Sequence, residues 1–329
     1  MGTFPRRAAL APLIGTGVVG LLLTASVITA QTSVVTTVTP SPTTVPVGDA
    51  PRAGRALIVS IDGLRPDVML RADAPVLRSL MAAGSFTMWA RTTEASVTLP
   101  SHASMLTGVR PERHGVDWNG DLKPEEQRYP LVPTLLDRAR AAGMSTALVA
   151  GKSKFVALAR EGTVDHVDIT GGGSDTDVAV AAERIVRDYR PRVMVVHFPA
   201  TDGAGHGVGW GTPEQIDAIQ RADAALGRVL GALTDAGVRD ETLVIVSTDH
   251  GGAGRTHGPD DPRSRHIPWI CVGPGVRANH DLTTHRDLVV NTEDTFATAA
   301  WMLGIPVEPG LDGRPVVQVL AERELLESE

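Results

Sequence analysis

The sequence predicts a doubly wound α/β domain, with a mostly parallel central sheet flanked by helices. Three observations carry this expectation. Continuous apolar runs at 56–61, 145–150, 192–198, 242–247 and 267–272 have the pattern of strands buried on both faces. Helical periodicity fills the intervals at 74–83, 131–142, 175–188, 212–236 and 292–303, and glycines follow several of these segments. Strand and helix alternate along the chain, which is the economical signature of parallel crossovers. No internal repeat is evident.

Before the first strand come two segments of different character. Residues 1–30 read as a targeting segment: Arg6 and Arg7 form a positive start, 8–28 is almost wholly apolar, and Ile28-Thr29-Ala30 is an acceptable cleavage site. The apolar run is also long enough for an uncleaved single-span membrane anchor through 8–28. Both readings make the rest of the chain extracytoplasmic, secreted or held at the outer face of the cytoplasmic membrane. Residues 31–55 are rich in Thr, Val, Ser and Pro, the composition of an extended tether. The folded domain is then 56–329. Of the 329 residues, roughly 275 remain after the leader and tether, the size of one large domain. A net charge of −7 without a basic cluster argues against a nucleic-acid-binding surface. The lone Cys271 cannot form an internal disulfide.

Chemistry concentrates at strand ends. The run 56–61 stops at Asp62-Gly63, 192–198 leads to Asp202, and 242–247 leads to Thr248-Asp249-His250. In open α/β sheets this carboxyl edge is where ligands bind. Asp202-Gly203-Ala204-Gly205-His206 has the i,i+4 spacing that lets one turn offer an oxygen and a nitrogen to a single ion. A glycine loop beyond His250 returns a third histidine, His257. Mixed Asp and His donors suit zinc or manganese better than calcium or magnesium. Singly, each residue has a plain reading: a strand-end Asp is often a helix cap, and a histidine in a glycine loop is usually solvated.

The stretch 93–108 begins extended and β-branched, and Pro100 suits the first turn of a helix. Thr98 would then sit just before a helix N-terminus, where free N–H groups favour anions. That is a good position for a nucleophile attacking phosphorus; the alternative is that Thr98 is simply an N-cap. Lys152 and Lys154 follow the strand 145–150 and either contact a substrate anion or are solvated at a helix start.

Taken together these residues resemble the alkaline phosphatase superfamily, and within it the nucleotide pyrophosphatase/phosphodiesterase-like branch. The matching residues are Val59-Ser60-Ile61-Asp62-Gly63-Leu64-Arg65-Pro66-Asp67, Thr98-Leu99-Pro100-Ser101-His102, the run 106–116, Asn119, 202–206, Thr248-Asp249-His250-Gly251-Gly252 and Thr256-His257-Gly258. The likeness spans about 56–313. It implies an alkaline phosphatase-like catalytic domain and two divalent metal ions, most simply zinc. Carried over by position, Asp202, His206 and His257 would hold the first ion; Asp62, Thr98, Asp249 and His250 would hold the second. His266 competes with His257 for the third place in the first set, and the Thr-His-Gly context favours His257. Thr98 would form a phospho-threonyl intermediate. Asn119 and the backbone N–H groups near Thr98 would stabilise charge on the phosphoryl oxygens. His102 and His114 are expected to hold local loops rather than metal.

The expected partner is a small phosphate-ester substrate, and the expected activity is that of a phosphodiesterase or pyrophosphatase. The alternative is a phosphomonoesterase or phosphonoacetate hydrolase-like enzyme, in which a related motif uses lysines like Lys152 and Lys154. Leu99-Pro100-Ser101 departs from the Phe-Pro-Asn common in the branch, and the chain has only five Phe and two Tyr to stack a base. Both weaken a specifically nucleotide substrate. A sulfatase would need Cys or Ser in a C/S-x-P-x-R motif, which Thr98 and His102 do not supply. A phosphomutase would carry a substantial inserted domain, and a phosphoethanolamine-type transferase several membrane spans. A non-catalytic exported binding protein would have no need of all seven ligands.

Overall fold

In the computed structural model, which describes residues 53–321, the chain forms eight strands. They are β1 (Arg55–Ile61), β2 (Ser85–Arg91), β3 (Thr146–Ala150), β4 (His166–Ile169), β5 (Val193–Phe198), β6 (Thr242–Ser247), β7 (His266–Val272) and β8 (His280–Asp281). One sheet holds them in the order β4-β3-β5-β1-β6-β7-β2-β8. From β4 to β6 the pairing is parallel, with Ser60 of β1 opposite His197 of β5 and Ser247 of β6. β7 is antiparallel to both β6 and β2, and β8 adds a short parallel edge.

The five expected strands are all present. β2, β4 and β8 are additional, and each has a physical reason for being faint in the sequence. β2 alternates buried and accessible residues instead of running apolar; β4 is four residues alternating polar and apolar, and β8 is two polar residues. The antiparallel turn at β7 follows from its connection. Between Ser247 and His266 the only helix is Pro262–Arg265, too short for the crossover that a parallel neighbour requires.

Side-chain alternation divides the interior into two cores. Ala56, Ile58, Leu148, Val195 and Ile245 face helices Thr98–Thr107, Leu135–Ala141 and Asp294–Leu303. Leu57, Val59, Ile61, Val196 and Val244 face helices Pro75–Ala83, Asp175–Tyr189 and Pro213–Asp235. Helix starts are set by caps. Thr134 and Asp137 form a capping box that begins their helix at Leu135 rather than at 131, and Ser174 with Asp177 does the same before Asp175.

The domain already includes the last residues assigned to the tether: the Ala53 N–H donates to Met302 O at 2.9 Å, and β1 starts at Arg55. The expected targeting segment at 1–30, with its anchor at 8–28, and the tether at 31–52 lie outside the described residues. No helix among the described residues is long and apolar enough to cross a membrane.

Candidate metal and phosphoryl site

Four adjacent parallel strands deliver their following residues to one edge. In spatial order, β3 leads to Lys152, β5 to Asp202, β1 to Asp62 and β6 to Asp249 and His250. The chain moves outward in opposite directions from β1, so this edge is the crevice where such sheets bind ligands. Gly63 makes the crowding possible. It has φ +73°, and a β-carbon there would lie 2.9 Å from Asp202 Cα.

The histidines are oriented by main-chain carbonyls. His206 Nδ1 lies 3.0 Å from Arg255 O, His250 Nδ1 2.9 Å from Gly251 O, and His257 Nδ1 2.7 Å from Ser96 O. A carbonyl only accepts, so each Nδ1 carries a hydrogen, and the lone pair of each neutral ring is on Nε2. Ser96, a buried residue with φ +50°, is held in the left-handed region while its carbonyl meets His257. His250 and His257 stack, with ring centroids 3.6 Å apart.

Buried carboxylate oxygens face those lone pairs. Asp62 Oδ1, Asp202 Oδ1 and Asp249 Oδ2 have no hydrogen-bond partner. They lie 3.6, 4.0 and 3.2 Å from His250 Nε2, and Thr98 Oγ1 lies 3.5 Å from the same nitrogen. Two groups bring donor atoms within 4.8 Å of one another: Asp202 with His206 and His257, and Asp62 with Asp202 and His250. Orphaned buried anionic oxygens beside oriented imidazole lone pairs, from buried His250, half-buried His257 and exposed His206, are a donor set that fits divalent metal. The first group is the expected first set. The second shares Asp62 and His250 with the expected second set and adds Asp202; Asp249 keeps Oδ2 3.2 Å from His250 Nε2 while its Oδ1 accepts from the N–H groups of Gly63 and His250. His257 is the histidine brought to the cluster. His266 turns away, with Nδ1 3.0 Å from Pro262 O and its ring edge-on to Trp89.

Lys152 lies within this arrangement. Its Nζ is 2.7 Å from Asp62 Oδ2 and 2.7 Å from Asp202 Oδ2. Burial opposes ionisation of Asp62, yet Lys152 and the hydrogen bond from His197 hold its carboxyl well below the usual range. Burial likewise opposes the Lys152 charge, and Asp62, Asp202 and Asp249 overcome it and raise its pKa. The Asp202 carboxyl falls below its ordinary value although burial and Asp62 push the other way; His206 and Lys152 prevail. Both lysines therefore reach the site. Lys154 Nζ is 3.2 Å from Asn119 Oδ1, and burial followed by the Lys152 charge lowers its pKa.

Thr98 is the first residue of its helix, not the residue before it. Val97 occupies the N-cap position and no side chain caps the turn, so the capping reading of Thr98 fails. The helix also offers a substrate fewer donors than its position promised. The Leu99 N–H donates to Asn119 Oδ1 at 3.0 Å, Pro100 has no N–H, and the Ser101 N–H donates to Val97 O. The Leu99 bond fixes which end of the Asn119 amide faces the helix and leaves Nδ2 for another acceptor.

Two supporting residues escaped the sequence reading. His197, buried on β5, places Nε2 2.8 Å from Asp62 Oδ2. Its signal was present: a histidine inside an apolar strand needs a polar partner. Trp210 donates Nε1–H to Gly63 O at 2.8 Å and packs edge-on against His206. His102 does more than hold a loop. Its Nδ1 donates to Thr98 O, its Nε2 meets Ser60 Oγ at 2.7 Å, and burial lowers its pKa to about 4. His114 meets Ser104 Oγ, a local role as expected.

Known proteins share this arrangement of chain. The family model for type I phosphodiesterases and nucleotide pyrophosphatases matches residues 56–260. An uncharacterised pyrophosphatase/phosphodiesterase of Schizosaccharomyces pombe is 24% identical over 215 residues, covering 60% of this chain and 44% of that protein. Mouse ectonucleotide pyrophosphatase/phosphodiesterase family member 1 is 25% identical over 230 residues, covering 59% of this chain and 24% of that protein. The matched region is thus less than half the length of either relative. Murine ectonucleotide pyrophosphatase/phosphodiesterase 5, solved as an inactive threonine-to-alanine variant in complex with AMP, superposes with a TM-score of 0.69. That pair shares 16% identity over 81% of this chain and all of the solved one. With most of the folded domain inside the family match, this chain belongs to the type I phosphodiesterase/nucleotide pyrophosphatase family of the alkaline phosphatase superfamily.

Proposed function

We propose that this chain is an exported, metal-dependent hydrolase of small phosphodiesters or pyrophosphates that acts through Thr98. The carrying observation is Thr98 Oγ1 3.5 Å from His250 Nε2, in a cluster that gathers three carbonyl-oriented histidines and three buried carboxylate oxygens that make no hydrogen bond. Asp202, His206 and His257 would hold one divalent ion; Asp62, Asp249 and His250, with Thr98, would hold the other. Bound there, two ions, zinc or alternatively manganese, would supply the positive charge that an oxygen nucleophile and a departing oxyanion need at neutral pH.

The protein's own part is positional. Thr98 Oγ1 attacks phosphorus, forming the Thr98 O–P bond as the bond to the leaving-group oxygen breaks, and the hydroxyl proton ends on that departing oxygen. Water then attacks the same phosphorus, its oxygen stays there, and one of its protons returns to Thr98 as the Thr98 O–P bond breaks. Asn119 Nδ2 donates to a non-bridging phosphoryl oxygen, and Lys154 beside it adds positive charge. The inactive threonine-to-alanine variant of the murine structural relative supports a threonine nucleophile, and its AMP supports a nucleotide-like phosphate. Export rests on the segment at 1–30.

The test pairs metal content with turnover of bis-p-nitrophenyl phosphate and p-nitrophenyl phosphate. About two zinc per chain and faster diester cleavage are expected. Thr98→Ala should retain its metal and lose turnover by at least about a thousandfold. Full activity in that variant removes the nucleophile assignment; monoester preference in the wild type shifts the reading to a phosphatase.

A further inference from the structure

The chain has three lysines, Lys123, Lys152 and Lys154, and two of them reach the site. Lys152 divides each of two carboxylates. Its ammonium takes Oδ2 of Asp62 and Oδ2 of Asp202, both at 2.7 Å. The Oδ1 atoms of the same residues make no hydrogen bond and lie within 4.0 Å of His250 Nε2, and Asp202 Oδ1 also faces His206 Nε2 at 3.3 Å. One oxygen of each pair is thus held by the lysine and the other is left to the ligand space.

We infer that Lys152 is a positioning residue, a resident cation that holds Asp62 and Asp202 side by side so that both Oδ1 atoms serve the metal-binding space. The inference rests on the metal-binding reading of that space. Asp62, Asp202 and Asp249 bring three carboxylates into one buried cluster, and Lys152 brings an ammonium to two of them. Two neighbouring buried carboxylates repel and lose solvation, and a shared ammonium offsets both costs before any metal arrives. Lys152 also reduces what a metal gains by binding, because part of the negative charge is already balanced.

The experiment uses the full chain, stripped of metal and then reloaded with zinc, as wild type, Lys152→Met and Lys152→Arg. Metal-free Lys152→Met should melt at least about 5 °C below wild type. Zinc should recover most of that gap, so its stabilisation of Lys152→Met exceeds that of wild type. Lys152→Arg, which keeps the charge, should lie between them. Metal-free melting within about 1 °C of wild type, with an equal zinc shift and only KM for bis-p-nitrophenyl phosphate raised, overturns the inference in favour of substrate binding.

A measurement on wild type alone covers a variant that does not fold. On treatment of the metal-free protein with acetic anhydride, followed by mass spectrometry, Lys152 should acylate at least about tenfold more slowly than exposed Lys123. In zinc-loaded protein its rate should be indifferent to inorganic phosphate. Equal rates for Lys152 and Lys123, or protection of Lys152 by phosphate, overturn the inference. Failure of wild type to bind zinc would defeat the metal reading, while metal-free melting and acylation would still decide the role of Lys152.

Discussion

Trp210 fills the space beside Gly205 that a side chain would need: a β-carbon at 205 would lie 2.6 Å from the indole Cε2. Gly252, on the loop after β6, is pressed against the same ring. The glycines of Asp202-Gly203-Ala204-Gly205-His206 and Asp249-His250-Gly251-Gly252 therefore serve unequal purposes. Gly205 and Gly252 admit the indole behind His206, whereas Gly203 has open space beside it. Gly205 lies inside helix Ala200–Val208, where alanine would ordinarily stabilise by up to about 1 kcal/mol. Here the sign should reverse. Gly205→Ala is expected to cost about 1–3 kcal/mol in urea unfolding and to weaken metal binding, while Gly203→Ala should be neutral or stabilising.

The two histidines that compete in the sequence should separate in a metal assay. His257→Ala removes an Nε2 lone pair from the cluster and should lower zinc content by about one ion per chain. His266→Ala removes a ring that meets Trp89 and Pro262 O, so zinc content should stay at the wild-type level.

Asn119→Asp keeps an acceptor for the Leu99 N–H and removes the Nδ2 donor. Its kcat/KM toward bis-p-nitrophenyl phosphate should fall about 10²–10³-fold, with melting temperature nearly unchanged. A large loss of stability instead would assign Asn119 to holding the helix start.

Asp175 gives a pH prediction independent of the metal. Its side chain is buried; Oδ1 accepts the Ala200 N–H at 3.0 Å and Oδ2 has no partner. Burial raises its pKa from 3.8 to about 6. The folded state therefore holds this proton more tightly than the unfolded chain does. The resulting stability is complete below the unfolded value and is lost as pH rises through about 6. Asp175→Asn keeps the acceptor without the charge, so it should exceed wild type by about 1–3 kcal/mol at pH 8 and converge with it near pH 4. Urea titrations of metal-stripped protein at the two pH values check this.

Much of the fold was legible because buried parallel strands are written as unbroken apolar runs, and five such runs became β1, β3, β5, β6 and β7. The acids at their ends were legible for the same reason, since Asp62 and Asp249 follow apolar runs almost at once. What stayed hidden depended on partners distant in sequence. Whether Lys152 is solvated turns on Asp62 and Asp202, which no local pattern around residue 152 reveals. The Ser96 carbonyl is invisible as a functional group until the backbone places it on His257. The promise of free N–H groups at the Thr98 helix was misleading because Asn119 and Pro100 remove them.

The placement of the acids also bears on how the molecule comes to be active. Asp62 and His257 are roughly two hundred positions apart in the chain, and four neighbouring strands must be in register before their loops meet. Such distant pairings form late in folding because their loop-closure entropy is large. Should the proposed site take up zinc, uptake would mark the finished molecule, and fragments stopping before β6 should fail to sequester the ion even where they are helical.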